Sequence, residues 1–255
     1  MNHECNQPGV TEATSRQQGA ALLVILAIIL LGGISLALDA VMIKSKRMHS
    51  DQYSKMALAQ AKKALIAYAA MRAAKTPPPV KMYGKLPCPY NGPFRNTVAP
   101  LADYGEGAVE DPTCSVSLGF LPWQTLGLPP LLDGDLAPVW YALAPRFATG
   151  YATKDGFLCN QADLTINGDT SRYAAILLAP GQVLSLTAGI QNRSVNVIAQ
   201  NLVQGYLEED NADGDSTYEI RKIIQENSGD PNNPPFNDRL LGITCTEILN
   251  AMARL

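Results

Sequence analysis

Covalent chemistry in this 255-residue chain would fall first to its cysteines. Cys5 stands alone in a hydrophilic N-terminal stretch, while Cys88, Cys114, Cys159 and Cys245 are spread over the rest. Zinc suits these four poorly, because a four-cysteine site brings its ligands in close pairs and no Cys-x-x-Cys spacing occurs. An even set without a histidine partner reads as two disulfides or as buried free thiols, and disulfides imply an oxidising compartment. Four cysteines allow three connectivities; Cys88 with Cys114 and Cys159 with Cys245 is the pairing expected. The two histidines, His3 and His49, both precede the body of the chain. That removes Ser/His/Asp and Cys/His catalysis and the commonest transition-metal ligand from it. No phosphate-binding Gly-x-x-x-x-Gly-Lys-Ser/Thr loop or Gly-x-Gly-x-x-Gly turn is present either. The 23 Asp and Glu keep acid–base chemistry formally open, but no spacing selects a pair. No catalytic residue is assigned, and the expectation is a protein that is not an enzyme.

One acidic run, Glu208-Glu209-Asp210-Asn211-Ala212-Asp213-Gly214-Asp215, has oxygen ligands at alternate positions ahead of a glycine. Glu209, Asn211, Asp213 and Asp215 would be the candidate calcium ligands, by analogy with the start of an EF-hand loop. The first ligand is Glu where Asp is usual, and the closing Glu falls at Glu219, one residue before its place at Ile220. The other reading is a solvated acidic turn.

Apolar residues make up 47% of the chain and charged residues 17%, with a net charge of -3. The 20 Lys and Arg form no block that could neutralise many phosphates, so nucleic acid is not expected as a partner. The apolar excess is concentrated in Ala20 to Leu38, AALLVILAIILLGGISLAL, which carries no charge and continues past Asp39 to Ile43. At about 1.5 Å per residue such a helix would cover roughly 28 Å, the thickness of a bilayer core. A secretory apolar segment is shorter, about 7 to 15 residues. Beyond Ile43, Leu58, Ala61, Leu65 and Tyr68 recur at helical spacing, and no proline intervenes until Pro77-Pro78-Pro79. This predicts either one helix of about 55 residues or two helices meeting near Ser50 and Asp51.

The polar leader ends in Ser15-Arg16-Gln17-Gln18-Gly19, directly against Ala20. A leader that ends in Gly, followed at once by an uninterrupted apolar helix, resembles the class III signal of type IV pilins and type II secretion pseudopilins. The resemblance implies that prepilin peptidase cuts between Gly19 and Ala20, that the new N-terminus is methylated, and that the apolar helix assembles with other pilin or pseudopilin subunits. It implies residence in the inner membrane as a single-pass protein, with the C-terminal domain in the periplasm or on a surface filament. The Glu usual at the fifth mature position is replaced by Val24, as in some minor pilins, which points to an accessory or tip subunit. Charge alone favours the opposite orientation, since Arg16 faces Lys44, Lys46, Arg47 and Lys55 across the apolar run. Several pseudopilins bind calcium near the end of their domains, which adds to the reading of the acidic run.

Later motifs extend the resemblance. Leu86-Pro87-Cys88-Pro89, Leu121-Pro122-Trp123-Gln124-Thr125-Leu126-Gly127-Leu128, Trp140-Tyr141 and Phe236-Asn237-Asp238-Arg239 are similar to elements of a subset of uncharacterised pilin-like proteins. Strands are predicted at Tyr173–Leu178, Val183–Leu186 and Leu240–Thr244, and helices at Ser194–Leu207 and Glu247–Leu255. The expected organisation is a leader over 1–19, a membrane segment over 20–43, an amphipathic continuation over 44–76 and an α+β domain over 77–255. In that domain the long helix would pack on a small antiparallel sheet with disulfide-tied loops. Two rivals remain: a Sec-exported protein cut after Ser35-Leu36-Ala37, and an anchored enzyme working through carboxylates.

Overall fold

The computed structural model describes residues 15–75, 82–92, 114–150, 159, 162–186, 189–193, 199–224, 230 and 234–254; within the first helix it describes the side chains of 22–30, 42 and 45–74. The chain divides into two compact units, Met1–Met48 and His49–Leu255.

Helix α1, Ser15–Lys75, supplies all the described residues of the first unit. Its apolar side chains from Leu22 to Leu30 are exposed, between 50% and 68% of their full surface. Among the described residues no helix is long and apolar enough to cross a membrane. Of the segment 20–43, expected to do so, only some side chains are described.

In the second unit α1 buries one face. Ser54, Leu58, Ala61, Leu65, Ala69 and Ala73 recur every three or four residues and are buried, while Lys55, Met56 and Lys63 are not. Pro77 lacks an amide donor and restricts the residue before it, which accounts for a helix end at Lys75.

After α1 come strands β1 (Leu118–Phe120) and β2 (Trp140–Leu143), the short helix α2 (Pro145–Thr149), and strands β3 (Thr165–Ile166), β4 (Tyr173–Ala179), β5 (Ser185–Leu186) and β6 (Gly189–Ile190). A 3-10 turn at Ala199–Asn201, helix α3 (Val203–Tyr206), a second 3-10 turn at Glu209–Asn211, β7 (Thr217–Tyr218), β8 (Arg239–Thr244) and α4 (Cys245–Met252) complete the order. The main sheet is antiparallel throughout, in the order β1-β2-β4-β8. Strand β4 is central and buried at all seven positions, which is why its sequence, YAAILLA, is a continuous apolar run with no alternation. The sheet and the buried face of α1 share one core, which includes Trp140, Ile176, Leu177, Ile243 and Ile248. The second unit is thus an α+β domain with a small antiparallel sheet.

Both disulfides have the expected connectivity, Cys88–Cys114 and Cys159–Cys245, with Cα atoms 5.0 Å and 5.3 Å apart. Three element expectations need correction. Val183–Leu186 reduces to β5, which among the described residues pairs with β6, outside the main sheet. The helix predicted over Ser194–Leu207 is split within its described part into the turn at Ala199–Asn201 and the four residues of α3. There Gly205 lies so close to another segment that a Cβ would stand 2.2 Å from the Asn192 carbonyl oxygen. The tail helix begins at Cys245, two residues earlier than predicted, because Thr244 and Glu247 form a reciprocal capping box.

Candidate functional site

Gly19 and Ala20 fall within the bounds of α1, and their side chains lie outside the described residues. The other sequence-selected residues can be placed.

The acidic run does not form a calcium cage. Asn211 is fully buried and its side chain is already committed: its Nδ2 donates to the Glu219 carbonyl at 3.2 Å and to Asp238 Oδ2 at 3.0 Å, and its Oδ1 accepts from the Glu219 N–H at 2.9 Å. Asp213 and Asp215 are exposed and turn back on the local chain, accepting from the N–H groups of Asp215 at 3.0 Å and Thr217 at 2.5 Å. Glu209 stands apart, with Arg221 4.0 Å away. Among the described residues no three His, Cys, Asp or Glu are placed to hold a metal ion. Within the run Asp213 to Asp215 form a solvated turn, and Asn211 is a buried structural plug beside it.

What the run does supply is Glu208, buried at its head. Glu208 Oε1 accepts from Gln191 Nε2 at 2.7 Å, and its Oε2 accepts from the N–H groups of Asn237 and Asp238 at 3.0 Å and 3.2 Å. In return the Glu208 N–H donates to Asp238 Oδ2 at 3.0 Å. The Phe236-Asn237-Asp238-Arg239 motif is therefore one wall of a buried polar cluster, and Asn237 adds a bond from its Nδ2 to the Gln182 carbonyl at 2.8 Å. Arg193 closes the cluster from another side. It donates to the carbonyls of Gly181 at 2.7 Å and Gln182 at 3.2 Å, and its guanidinium stacks 4.9 Å from the centre of the Tyr206 ring. Asp133 accepts from the N–H of Gly181 at 2.6 Å and from its own loop at Asp135 and Ala137. Burial pushes the Asp133 carboxyl above its ordinary range, against the pull of those three N–H groups.

The same loops grip α1 at the start of the second unit. Ser50 Oγ donates to Asp135 Oδ2 at 2.7 Å, the Gly134 N–H donates to Ser54 Oγ at 3.0 Å, and Arg239 forms an ion pair with Asp51. At Gly134 only a glycine fits, since a Cβ would lie 2.1 Å from the Ser50 carbonyl oxygen. One helical turn further on than Leu58, Lys62 bridges to Glu247 at 2.7 Å and donates to the Gly242 carbonyl at 2.8 Å.

A groove of about 580 Å³ runs between Ser115–Leu118, the Gln200–Gln204 region and Ala212–Gly214. Asp213 is the one carboxylate among its described lining residues, so it holds no acid–base pair. Sequence reasoning counted Glu208 with the solvated acids and passed over Asp133, Gln191 and Arg193. The available signal was position, because Glu208 and Asp238 each follow a buried aromatic by two residues, Tyr206 and Phe236. Comparison with protein families, with curated proteins and with solved structures finds no match to this chain.

Proposed function

We propose that the chain is a minor pilin- or pseudopilin-like subunit, made as a prepilin, cut between Gly19 and Ala20, and assembled through the N-terminal part of α1. The observation that carries this reading is the Gly19–Ala20 junction at the head of an uncharged run whose described side chains, Leu22 to Leu30, are all exposed. Exposed apolar surface of this extent calls for lipid or a protein partner. In the proposal the run first sits in the inner membrane and then packs against equivalent helices of other subunits, while the disulfide-tied domain faces the periplasm or the filament exterior. The α+β domain, the two disulfides and the burial of Leu58, Ala61 and Leu65 are compatible with it.

Intact mass and N-terminal fragmentation of the protein, from cells with and without prepilin peptidase, test the processing step. A chain that begins at Ala20, methylated, and only in cells with the peptidase is the expected result. A start at Leu38 would make it a Sec-exported protein, and an intact Met1 in both cells would leave a plain anchor; either outcome overturns the proposal.

A further inference from the structure

The buried cluster has too many acids for its cations. Facing Asp238 and Glu208 are Arg193 after β6, Tyr206 on α3, Asp133 ahead of β2, Glu219 after β7, and, beyond Asn237, Arg239 with its Asp51 partner. Glu219 is taken by Arg221 at 2.7 Å and Asp51 by Arg239. Asp133 is held by backbone N–H groups. Among the described residues one guanidinium, Arg193, is left to compensate both Glu208 and Asp238. Two ionised carboxylates there would leave one buried charge unpaired, which proteins avoid by keeping a proton.

The hydrogen bonds say where that proton sits. Glu208 accepts from three donors, Gln191, Asn237 and Asp238, which is the environment of a carboxylate. Asp238 accepts at Oδ2 from Glu208 and Asn211, while its Oδ1 is buried with no hydrogen-bond partner among the described residues. The two residues grip each other reciprocally, the Glu208 N–H donating to Asp238 Oδ2 at 3.0 Å and the Asp238 N–H to Glu208 Oε2 at 3.2 Å, which makes the two carboxyl groups neighbours. A single proton kept on this pair of neighbouring carboxyl groups removes the surplus charge.

We propose that Glu208 and Asp238 form a one-proton lock: a single proton held between the two carboxyl groups fastens the segment Leu207–Ala212 to the start of β8, and its loss to solvent at higher pH releases that segment. Burial, with the Glu208 charge beside it, pushes the Asp238 carboxyl well above the ordinary carboxylate range. Burial also raises Glu208, but the Asn237 N–H and Gln191 pull it back. The sign follows from linkage. A carboxyl raised on folding contributes stability that is complete below its unfolded value near 3.8 and is lost as pH rises through the folded value. The fastening matters for α1 as well, since Arg239, next to Asp238, holds Asp51.

The test uses the full chain in detergent, as wild type and as Asp238→Asn, whose amide can donate to Glu208 as the acid does but cannot lose the proton. Melting temperature is followed from pH 5 to pH 8. The wild type is expected to lose roughly 3 °C or more across this range beyond any change in the variant. Amide exchange at Leu207–Asn211 is expected to speed up with pH, relative to β4, in the wild type only. Parallel melting profiles would overturn the lock. Should Asp238→Asn fail to fold, carboxyl carbon titration of the aspartate-labelled chain carrying Asp133→Asn, which removes the other buried aspartate raised by burial, decides: one aspartate that titrates well above the others sustains the lock, and none doing so overturns it.

Discussion

Two stretches of α1 carry apolar residues and behave in opposite ways. From Leu22 to Leu30 every side chain is exposed, the large apolar ones at 50% or more, whereas Leu58, Ala61, Leu65 and Ala69 are at most 3% exposed. The second stretch is amphipathic: Lys55, Gln60 and Lys63 mark the solvent side, and the buried face joins the sheet in one core. The first stretch has no polar side. Hydrophobicity arranged as a stripe is thus satisfied by the chain's own domain, and hydrophobicity all round calls for lipid or a protein partner. This contrast underlies the proposed function.

The comparison breaks most visibly at the core. Trp140 is fully buried, with its ring centroid 4.5 Å from that of Phe120 and 5.5 Å from that of Tyr206. Trp140→Ala is expected to cost about 3–5 kcal/mol of domain stability. Ile28→Ala, in the other stretch, should stay within about 0.5 kcal/mol. Denaturant unfolding of the full chain in detergent, followed by tyrosine and tryptophan signals, checks both. An equal loss from the two changes would abolish the distinction between the stretches.

The disulfides sharpen it further. Cys159–Cys245 closes a separation of 86 residues and ties the first turn of α4 to the chain ahead of β3. Replacing both cysteines by serine is expected to cost roughly 4–5 kcal/mol, against roughly 3–4 kcal/mol for Cys88–Cys114 with its separation of 26. Neither replacement should alter processing at Gly19. Urea midpoints of the two double variants, set beside their N-terminal masses, report this order.

A smaller effect is expected where α4 meets α1. Thr244 caps α4, and Thr244→Ala should cost about 1 kcal/mol. Burial tends to raise the Glu247 carboxyl, but Lys62 and the Thr244 N–H outweigh it and hold the group below its ordinary value. The contribution of Glu247 is therefore present above its unfolded value of 4.5 and is lost as pH falls through the folded one, the reverse of the Asp238 case. Because Glu247 is more than a third exposed, screening keeps the pair below about 1 kcal/mol. Lys62→Met should flatten the acid limb of the melting curve and leave the alkaline limb intact.

Legibility in the sequence followed the range of the forces involved. Strand β4 could be read because burial on both faces produces an unbroken apolar run, and the end of α1 because proline acts within one turn. The cysteine pairing came from parity and an expected connectivity. Strands β1 and β2 were overlooked: three and four residues are too few to show a period, and only their place beside β4 makes them strands. The acidic run misled for a related reason. Glu208 and Asp213 look alike locally, yet one meets Asp238 thirty positions away in the core and the other faces solvent. No local pattern records that meeting.

The most direct test of the contrast between the two stretches is photo-crosslinking from within α1. A photoreactive amino acid is placed at Ile28 in one chain and at Met56, which is exposed on the second stretch, in another, in cells with and without prepilin peptidase. The account expects adducts to other pilin-like subunits from position 28, formed only when the peptidase is present, and identified by mass spectrometry. Lipid adducts alone from position 28 in both kinds of cell would contradict it and leave the apolar run as an anchor.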